Sequence, residues 1–224
     1  MVIFVGLLGF YLAVTWSLRT LQRLLQPCRE IAPNIKIKDK NSLHLLGSPI
    51  FDECFPSFIE DKIENFNNIS DRLHKINSHS AFTLIRYCCF GPKFTYILRA
   101  SHIWKNSHIL ENVDKIIRHT FSSILNVALD DRAWQQATLP IRMGGLGVRK
   151  ISSISLPAFL SSVHSTSELD RKILSPSLAS FEVPCLTDAV EAWKMACPLT
   201  DLPVHPSSQR QWDVPLCSII QMET

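Results

Sequence analysis

The sequence lacks the paired cysteines of a disulfide framework or a zinc site. Its seven cysteines are an odd number, lie scattered along the chain and include no CxxC pattern. Adjacent Cys88 and Cys89 cannot easily hold one metal ion together, and disulfide or zinc frameworks show regular pairings instead. We therefore expect a reducing compartment, buried thiols and no bound metal.

Nucleotide-binding loops and catalytic spacings are also missing. The segment GGLG at residues 144–147 has neither the lysine–serine/threonine ending of a phosphate-binding loop nor a strand before it. No serine stands in a GxSxG elbow, no cysteine has an evident basic partner, and the eight histidines show no metal-binding spacing on one helix face. The sequence predicts no cofactor and no small-molecule substrate.

Acidic residues are outnumbered in the first two thirds of the chain. Residues 1–150 carry 19 Lys/Arg against 12 Asp/Glu, a net charge of +7, whereas residues 151–224 carry 4 against 8, a net charge of −4. A basic surface attracts polyanions, because phosphate neutralisation dominates nucleic-acid affinity. Ordinary solvated helix faces account for the same charges, so both interpretations stay open.

The candidate nucleic-acid contacts are cations interleaved with aromatic residues. Such cations contact the phosphate backbone, while aromatic rings stack on bases. The alternative places the aromatic rings in the core, with lysine and arginine at its edge. The cations are Arg86, Lys93, Arg99, Lys105, Arg118, Arg142, Arg149 and Lys150, and the aromatic residues between them are Tyr87, Tyr96, Trp104 and Trp134.

Asp130 and Asp131 admit two interpretations. Adjacent aspartates hold divalent cations in many phosphoryl-transfer enzymes. No aspartate in strand-like surroundings lies upstream to complete such a site. We predict instead that Asp130 caps a helix and that Asp131 lies in its first turn.

An uncharged apolar run, Val2–Leu18, stands near the start of the chain. It is at the short edge of what spans a bilayer, and no basic residue or cleavage site marks it as a secretory signal. Arg19, Arg23 and Arg29 follow it, so an inserted helix would leave the rest of the chain cytosolic. The alternative is a segment buried in a larger parent protein.

Helical periodicity dominates the middle of the chain and predicts a bundle. Two short strands precede it, and a segment with three glycines, Gly144, Gly145 and Gly147, follows the stop at Leu139-Pro140. We expect a mainly α fold: a helical bundle with a short β-hairpin near the N-terminus and an irregular C-terminal tail. The predicted strands are Ile35–Ile37 and Leu43–Leu46, around a turn at 38–42 and closed by Gly47-Ser48-Pro49. The predicted helices are Phe58–Ile76, Ser80–Phe90, Lys93–Ser101, Ser107–Leu125, Ser152–Val163 (interrupted or started by Pro157), Leu186–Ala196 and Gln209–Gln221 (broken at Asp213-Val214-Pro215).

Four motifs resemble the region just past the catalytic core in reverse transcriptases of non-LTR (LINE-type) retrotransposons. In that family an LLGxPI-like element closes the palm, a helical thumb follows, and an ASLPxRxGGLGxR segment joins the thumb to later sequence. The likeness covers residues 29–221, and the glycine-rich segment is its most specific part. The motifs are LHLLGSPI (43–50), TYILRAS (95–101), LDDRAWQQATLPIRMGGLGVRKISSISLPAFLSSV (129–163) and QRQWDVPL (209–216).

The resemblance implies a truncated, non-catalytic thumb and connector. The palm aspartates of the family would lie before residue 30, and Asp130-Asp131 matches a downstream, non-catalytic LDD, so no catalytic residue carries over. The implied partner is RNA or an RNA–DNA hybrid, bound weakly and without sequence preference, in the cytosol or nucleus. The alternative is a membrane-anchored helical domain for protein interaction. Without a palm, we expect Phe58, Phe66, Phe90 and Phe94 to include exposed interface residues.

These features divide the chain into five segments. They are a leader or transmembrane helix at 1–28, an end-of-palm-like hairpin at 29–55, a thumb-like bundle at 56–128, a glycine-rich connector and helix at 129–165, and an incomplete, proline-rich helical tail at 166–224.

Overall fold

The computed structural model describes residues 44–49, 51–173 and 184–223. This part of the chain is mainly α-helical with one short pair of strands, so the predicted fold class is confirmed. The predicted apolar leader, Val2–Leu18, and the predicted strand Ile35–Ile37 lie outside the described residues. The strands are β1 (His44–Leu45) and β2 (Ser48–Pro49). The α-helices are α1 (Phe55–Leu73), α2 (Ser78–Leu84), α3 (Gly91–Ala100), α4 (Ser107–Leu125), α5 (Asp131–Thr138), α6 (Ile151–Ile173), α7 (Pro184–Ala196) and α8 (Gln209–Glu223).

The chain divides into two compact units at Phe58/Ile59. In the first unit, β1 and β2 pair antiparallel, His44 with Pro49 and Leu45 with Ser48. Leu46 and Gly47 form the turn with φ of 50° and 82°, the left-handed pair that tight hairpins use. The predicted turn at 38–42 lies outside the described residues. Gly47-Ser48-Pro49, predicted only to end a strand, instead turns the chain and supplies the second strand of this pair.

Each of the seven predicted helices overlaps an observed α-helix, but α6 runs ten residues past its predicted end at Val163. Helix α4 has the predicted bounds. The predicted helix Ser80–Phe90 instead starts at Ser78, where the side chain of Asn77 accepts a hydrogen bond from the Ser80 amide at 2.8 Å. It then widens into a π-helical turn, Ile85–Cys89.

Helix α6 is the centre of the second unit, packed against α3, α4, α7 and α8. The predicted interruption or start at Pro157 is wrong, since the helix runs unbroken from Ile151 to Ile173. Pro157 is buried within it. A proline inside a helix costs about 3 kcal/mol. Packing of α6 against four other helices offsets this cost.

The predicted break at Asp213-Val214-Pro215 is wrong for the same reason. Helix α8 continues through Pro215, with Trp212 and Cys217 buried on either side of it. Residues 184–196 and 209–223 are therefore helical, and the irregular part of the described tail is the loop between them.

A phenylalanine cluster forms the core between α1, the π turn and α3. The ring of Phe66 lies 4.9 Å from that of Phe90 and 5.3 Å from that of Phe94. All three are buried, as is Phe58 in the first unit. The expectation that these four residues include exposed interface positions is wrong, because the chain's own residues bury them.

A second apolar cluster joins α7 and α8 to α6. The rings of Trp193 and Trp212 meet edge to face at 5.1 Å, and Trp193 Nε1 donates to the Trp212 carbonyl at 2.9 Å. Trp212 Nε1 donates to the Pro206 carbonyl at 2.7 Å. This fixes the loop before α8 to the helix that follows it. The cluster's buried members are Phe159, Leu160, Ala189, Trp193, Cys197 and Trp212.

The prediction that the cysteine thiols are buried is correct for only some of them. Cys54, Cys197 and Cys217 are buried free thiols, whereas Cys88 is exposed. Burial raises the pKa of Cys197. Among the described residues, no helix has the length and apolar character needed to cross a membrane.

Candidate nucleic-acid interface

The glycine-rich connector between α5 and α6 is a closed, hydrogen-bonded loop. The amides of Leu146 and Val148 donate to the Ala137 carbonyl, and the Gly147 amide donates to the Leu139 carbonyl at 2.9 Å. Gly144 and Gly147 have φ of 80° and 74°, which favours glycine. The segment is therefore folded back onto α5, and α5 ends at Thr138 as Leu139-Pro140 predicts.

Gly145 is the tightest position in this loop. A Cβ atom there would lie 2.1 Å from the backbone oxygen of Leu139. Only a hydrogen atom fits at that distance. The need for glycine in the predicted connector therefore has a specific steric cause at Gly145.

Arg149, the last arginine of the connector, is used inside the protein. It forms an ion pair with Asp213 on α8, and the two side chains are only 20% and 17% exposed. Its guanidinium also donates to the Thr138 carbonyl at 3.3 Å and to Cys217 Sγ at 3.0 Å. Burial raises the pKa of Asp213, although the charge of Arg149 acts to lower it. In this position Arg149 joins the connector to α8, and its largely buried side chain already has an acidic partner.

Two more of the predicted nucleic-acid-binding cations, Arg118 and Lys105, already pair with acidic side chains of the protein. Arg118 donates to Asp131 Oδ1 and to the Leu129 carbonyl, both at 2.6 Å. Lys105 Nζ lies 2.6 Å from Asp188 Oδ2 and 5.6 Å from the centre of the Trp104 ring. These cations hold neighbouring elements of the fold together, and their charge is partly neutralised.

Asp130 caps α5 as predicted. Its side chain accepts a hydrogen bond from the Ala133 amide at 2.7 Å, and Asp131 lies in the first turn. No group of three or more His, Cys, Asp or Glu side chains within the described ranges could hold a metal ion. Asp130 and Asp131 are thus explained by the helix end.

Asp114 of α4 caps α6 from a different helix. Its carboxylate accepts hydrogen bonds from the amides of Ile151 and Ser152, at 2.6 and 3.2 Å, and from the Ser152 hydroxyl. Burial raises the pKa of Asp114, while the hydrogen bonds from Ser152 and Ile151 act to lower it. The first amides of a helix often bind phosphates, but those of α6 already donate to the carboxylate of Asp114.

An open cleft of about 410 Å³ lies beside this cap. Because its ionisable lining balances three acids against three cations, it offers little net attraction for a polyanion. Lys150, another predicted contact, belongs to this mixed set. The six residues are Glu111, Asp114, Asp131, Lys115, Arg118 and Lys150.

Helix α3 presents two of the remaining candidates on one exposed face. Lys93, Tyr96 and Arg99 follow each other at intervals of three residues, and all are exposed. Residues three apart are neighbours on a helix surface. We call these three residues the α3 basic face. Arg99 Nη2 donates to Gln209 Oε1 at 3.1 Å, and no acid among the described residues pairs with its charge.

Arg86 and Arg142 complete the set of predicted cations. The Arg86 guanidinium stacks over the Tyr87 ring at 4.5 Å, and its Nε atom would be 3.0 Å from a Cβ on Gly147. Arg142 is exposed in the 3₁₀ turn Ile141–Met143 of the connector. Arg86 thus lies against the connector, but nothing places Arg142 on the α3 basic face.

The four predicted aromatic contacts separate into two kinds. Trp134 is buried, and its ring lies 6.2 Å from Phe121. Trp104 packs against the α7–α8 cluster. Tyr87 and Tyr96 are 58% and 48% exposed. The two tryptophans therefore pack in the core, which is the alternative given for these rings in the sequence analysis. Of the four, only the tyrosines are accessible to a ligand.

A sequence signal that our charge count missed is a long stretch without acid. Residues 72–110, 39 positions, contain no aspartate or glutamate but six Lys/Arg and four histidines. Helices α2 and α3 and the π turn between them lie entirely within this stretch. Shorter windows would have set Arg86, Lys93 and Arg99 apart from Arg118 and Arg149, although Lys105, also in this stretch, pairs with Asp188.

Comparison with known proteins adds no assignment, since no family model, curated protein or solved structure matches this chain. The resemblance to non-LTR reverse transcriptases therefore stays a prediction based on its motifs.

Proposed function

We propose that this chain is a non-catalytic module, related to the thumb and connector of non-LTR reverse transcriptases, that binds RNA or an RNA–DNA hybrid weakly and without sequence preference. The observation that carries the proposal is the α3 basic face within the acid-free stretch 72–110. Cations without acidic partners release counterions when they neutralise phosphates, which supplies most of the affinity in sequence-independent binding. The proposal assigns no catalytic step, because Asp130 and Asp131 serve as helix-capping and first-turn residues.

The double variant Lys93→Gln/Arg99→Gln tests this proposal. For a single-stranded RNA probe, each phosphate contact contributes about 0.7 to the slope of log affinity against log salt concentration. We therefore expect the variant to lower that slope by about 1.4 and to weaken binding at low salt, as measured by fluorescence anisotropy with the full-length protein.

The matched control is Lys194→Gln/Arg210→Gln, which removes two exposed cations from the acidic C-terminal part. It changes the net charge by the same amount and should leave the slope nearly at the wild-type value. Equal losses in both variants would mean that overall charge, and not the α3 basic face, binds RNA. No salt-dependent binding by the wild type would disprove the proposal.

A second candidate function is a membrane-anchored domain for protein interaction. Aliphatic side chains of the loop before α8 favour it, since Leu199 is 100% exposed and Val204 84% exposed. The loop is held in place, because the His205 amide donates to Gln211 Oε1 at 2.8 Å. Extraction of cell membranes with alkaline carbonate tests the anchor: an anchored chain stays in the pellet, and release into the supernatant would contradict this function.

A further inference from the structure

The exposed tyrosines of the acid-free stretch distinguish two kinds of nucleic acid. In the described part of the chain, Tyr87 and Tyr96 are the only exposed tyrosine, tryptophan or phenylalanine rings, and both lie between residues 72 and 110. Every tryptophan described is buried or half-buried. The open aromatic surface and the unpaired cations therefore coincide in one region.

Tyr96 has the better geometry for a base. It stands between Lys93 and Arg99 on the α3 basic face, with a cation three residues before it and another three residues after it. The two cations are about 9 Å apart along the helix axis, at 1.5 Å per residue. They can bind phosphates on either side of a nucleotide whose base lies on the ring. One face of the Tyr87 ring, by contrast, is already covered by the Arg86 guanidinium.

A duplex offers no unstacked base to an exposed tyrosine ring. In a duplex the bases are stacked on each other, so a protein surface of this kind meets phosphates and sugars only. A single strand can turn its bases outward onto an aromatic side chain, and every base has a face that stacks. A ring between two cations therefore adds affinity for single strands alone.

We propose that the α3 basic face selects single-stranded nucleic acid over a duplex, with Tyr96 as the residue on which a base stacks. This inference rests on the proposed nucleic-acid binding and specifies its ligand. It does not require base-specific hydrogen bonds, so the preference extends to RNA and DNA strands of any unstructured sequence.

The experiment compares three labelled probes of equal length on the full-length protein. They are an unstructured single-stranded RNA, the same RNA paired with complementary DNA, and an abasic strand with the same number of phosphates. We expect the wild type to bind the single strand most tightly. Tyr96→Leu should weaken single-strand binding about tenfold, the range of one base–aromatic stack. Its affinity for the hybrid and the abasic strand should change less than twofold.

Tyr96→Phe is the matched control, because it keeps the ring and should keep the single-strand preference. Near-ultraviolet circular dichroism of both variants verifies that the fold is intact. Equal wild-type affinity for all three probes, still sensitive to Lys93→Gln/Arg99→Gln, would overturn the stacking role while nucleic-acid binding stands. An equal loss on all probes in Tyr96→Leu would also overturn it. No binding to any probe would overturn both.

Discussion

Replacing Gly145 with alanine is expected to lower the free energy of unfolding by about 3 kcal/mol, the upper range for overpacking a closely packed site. The new methyl group would meet the backbone oxygen of Leu139 at 2.1 Å. A flexible side chain could move away, but this oxygen already accepts a hydrogen bond from the Gly147 amide. The connector must open to relieve the contact, which would also disturb its junction with α8.

Gly91→Ala is the matched control for this prediction. Gly91 begins α3, and a Cβ there would meet no atom within 4 Å beyond its chain neighbours and its own helix backbone. Alanine there should be neutral or slightly stabilising, because it favours the helix. Urea denaturation followed by circular dichroism at 222 nm measures both variants. A Gly145→Ala protein as stable as the Gly91→Ala protein would contradict the close approach.

Removing the carboxylate of Asp213 is expected to cost about 3 kcal/mol or more, because it leaves the Arg149 guanidinium largely buried without its counter-charge. Asp213→Ala should therefore shift the urea midpoint strongly. Asp188→Ala breaks an ion pair whose two side chains are 36% and 53% exposed. Such exposed pairs contribute about 0–1 kcal/mol, so this control should remain close to the wild type.

The double variant Arg149→Met/Asp213→Leu tests why Asp213→Ala loses stability. The cause is either the isolated charge of Arg149 or the loss of packing and hydrogen bonds. Replacing both members of a buried pair by apolar residues is often neutral, so most of the stability should return if the isolated charge is the cause. If the double variant is as unstable as Asp213→Ala, the contribution of the pair is in the packing and in the hydrogen bonds to Thr138 and Cys217. A near-neutral Asp213→Ala would show that the pair is not buried.

Local signals in the sequence predicted local structure well. The apolar repeat defined α4, Asp130 marked the start of α5, and Leu139-Pro140 marked its end, because each depends on neighbours within one or two turns. Prolines at 157 and 215 misled the prediction, because the contacts that keep α6 and α8 helical through these residues come from other helices. The same holds for the four phenylalanines, whose burial depends on tertiary packing.

The candidate interface was less predictable than the fold. Eight cations were plausible, and the sequence could not show which of them meet acids. Arg149 pairs with a residue 64 positions away, and Lys105 with one 83 positions away. Tertiary structure alone brings such partners together. The acid-free stretch was visible in the sequence and would have favoured Lys93 and Arg99 over Arg118 and Arg149.

The cap that Asp114 places on α6 has a consequence for where the chain can be cut. A fragment ending before the connector would keep the Asp114 carboxylate but lose the amides of Ile151 and Ser152 that bind it. A fragment beginning at the connector would expose the first turn of α6 and the faces that α3 and α4 cover. A cut near residue 128 therefore separates Asp114 from the amides that it binds, and neither fragment keeps both. Useful truncations therefore fall outside residues 55–223, and residues 56–128 and 129–165 should be expressed together.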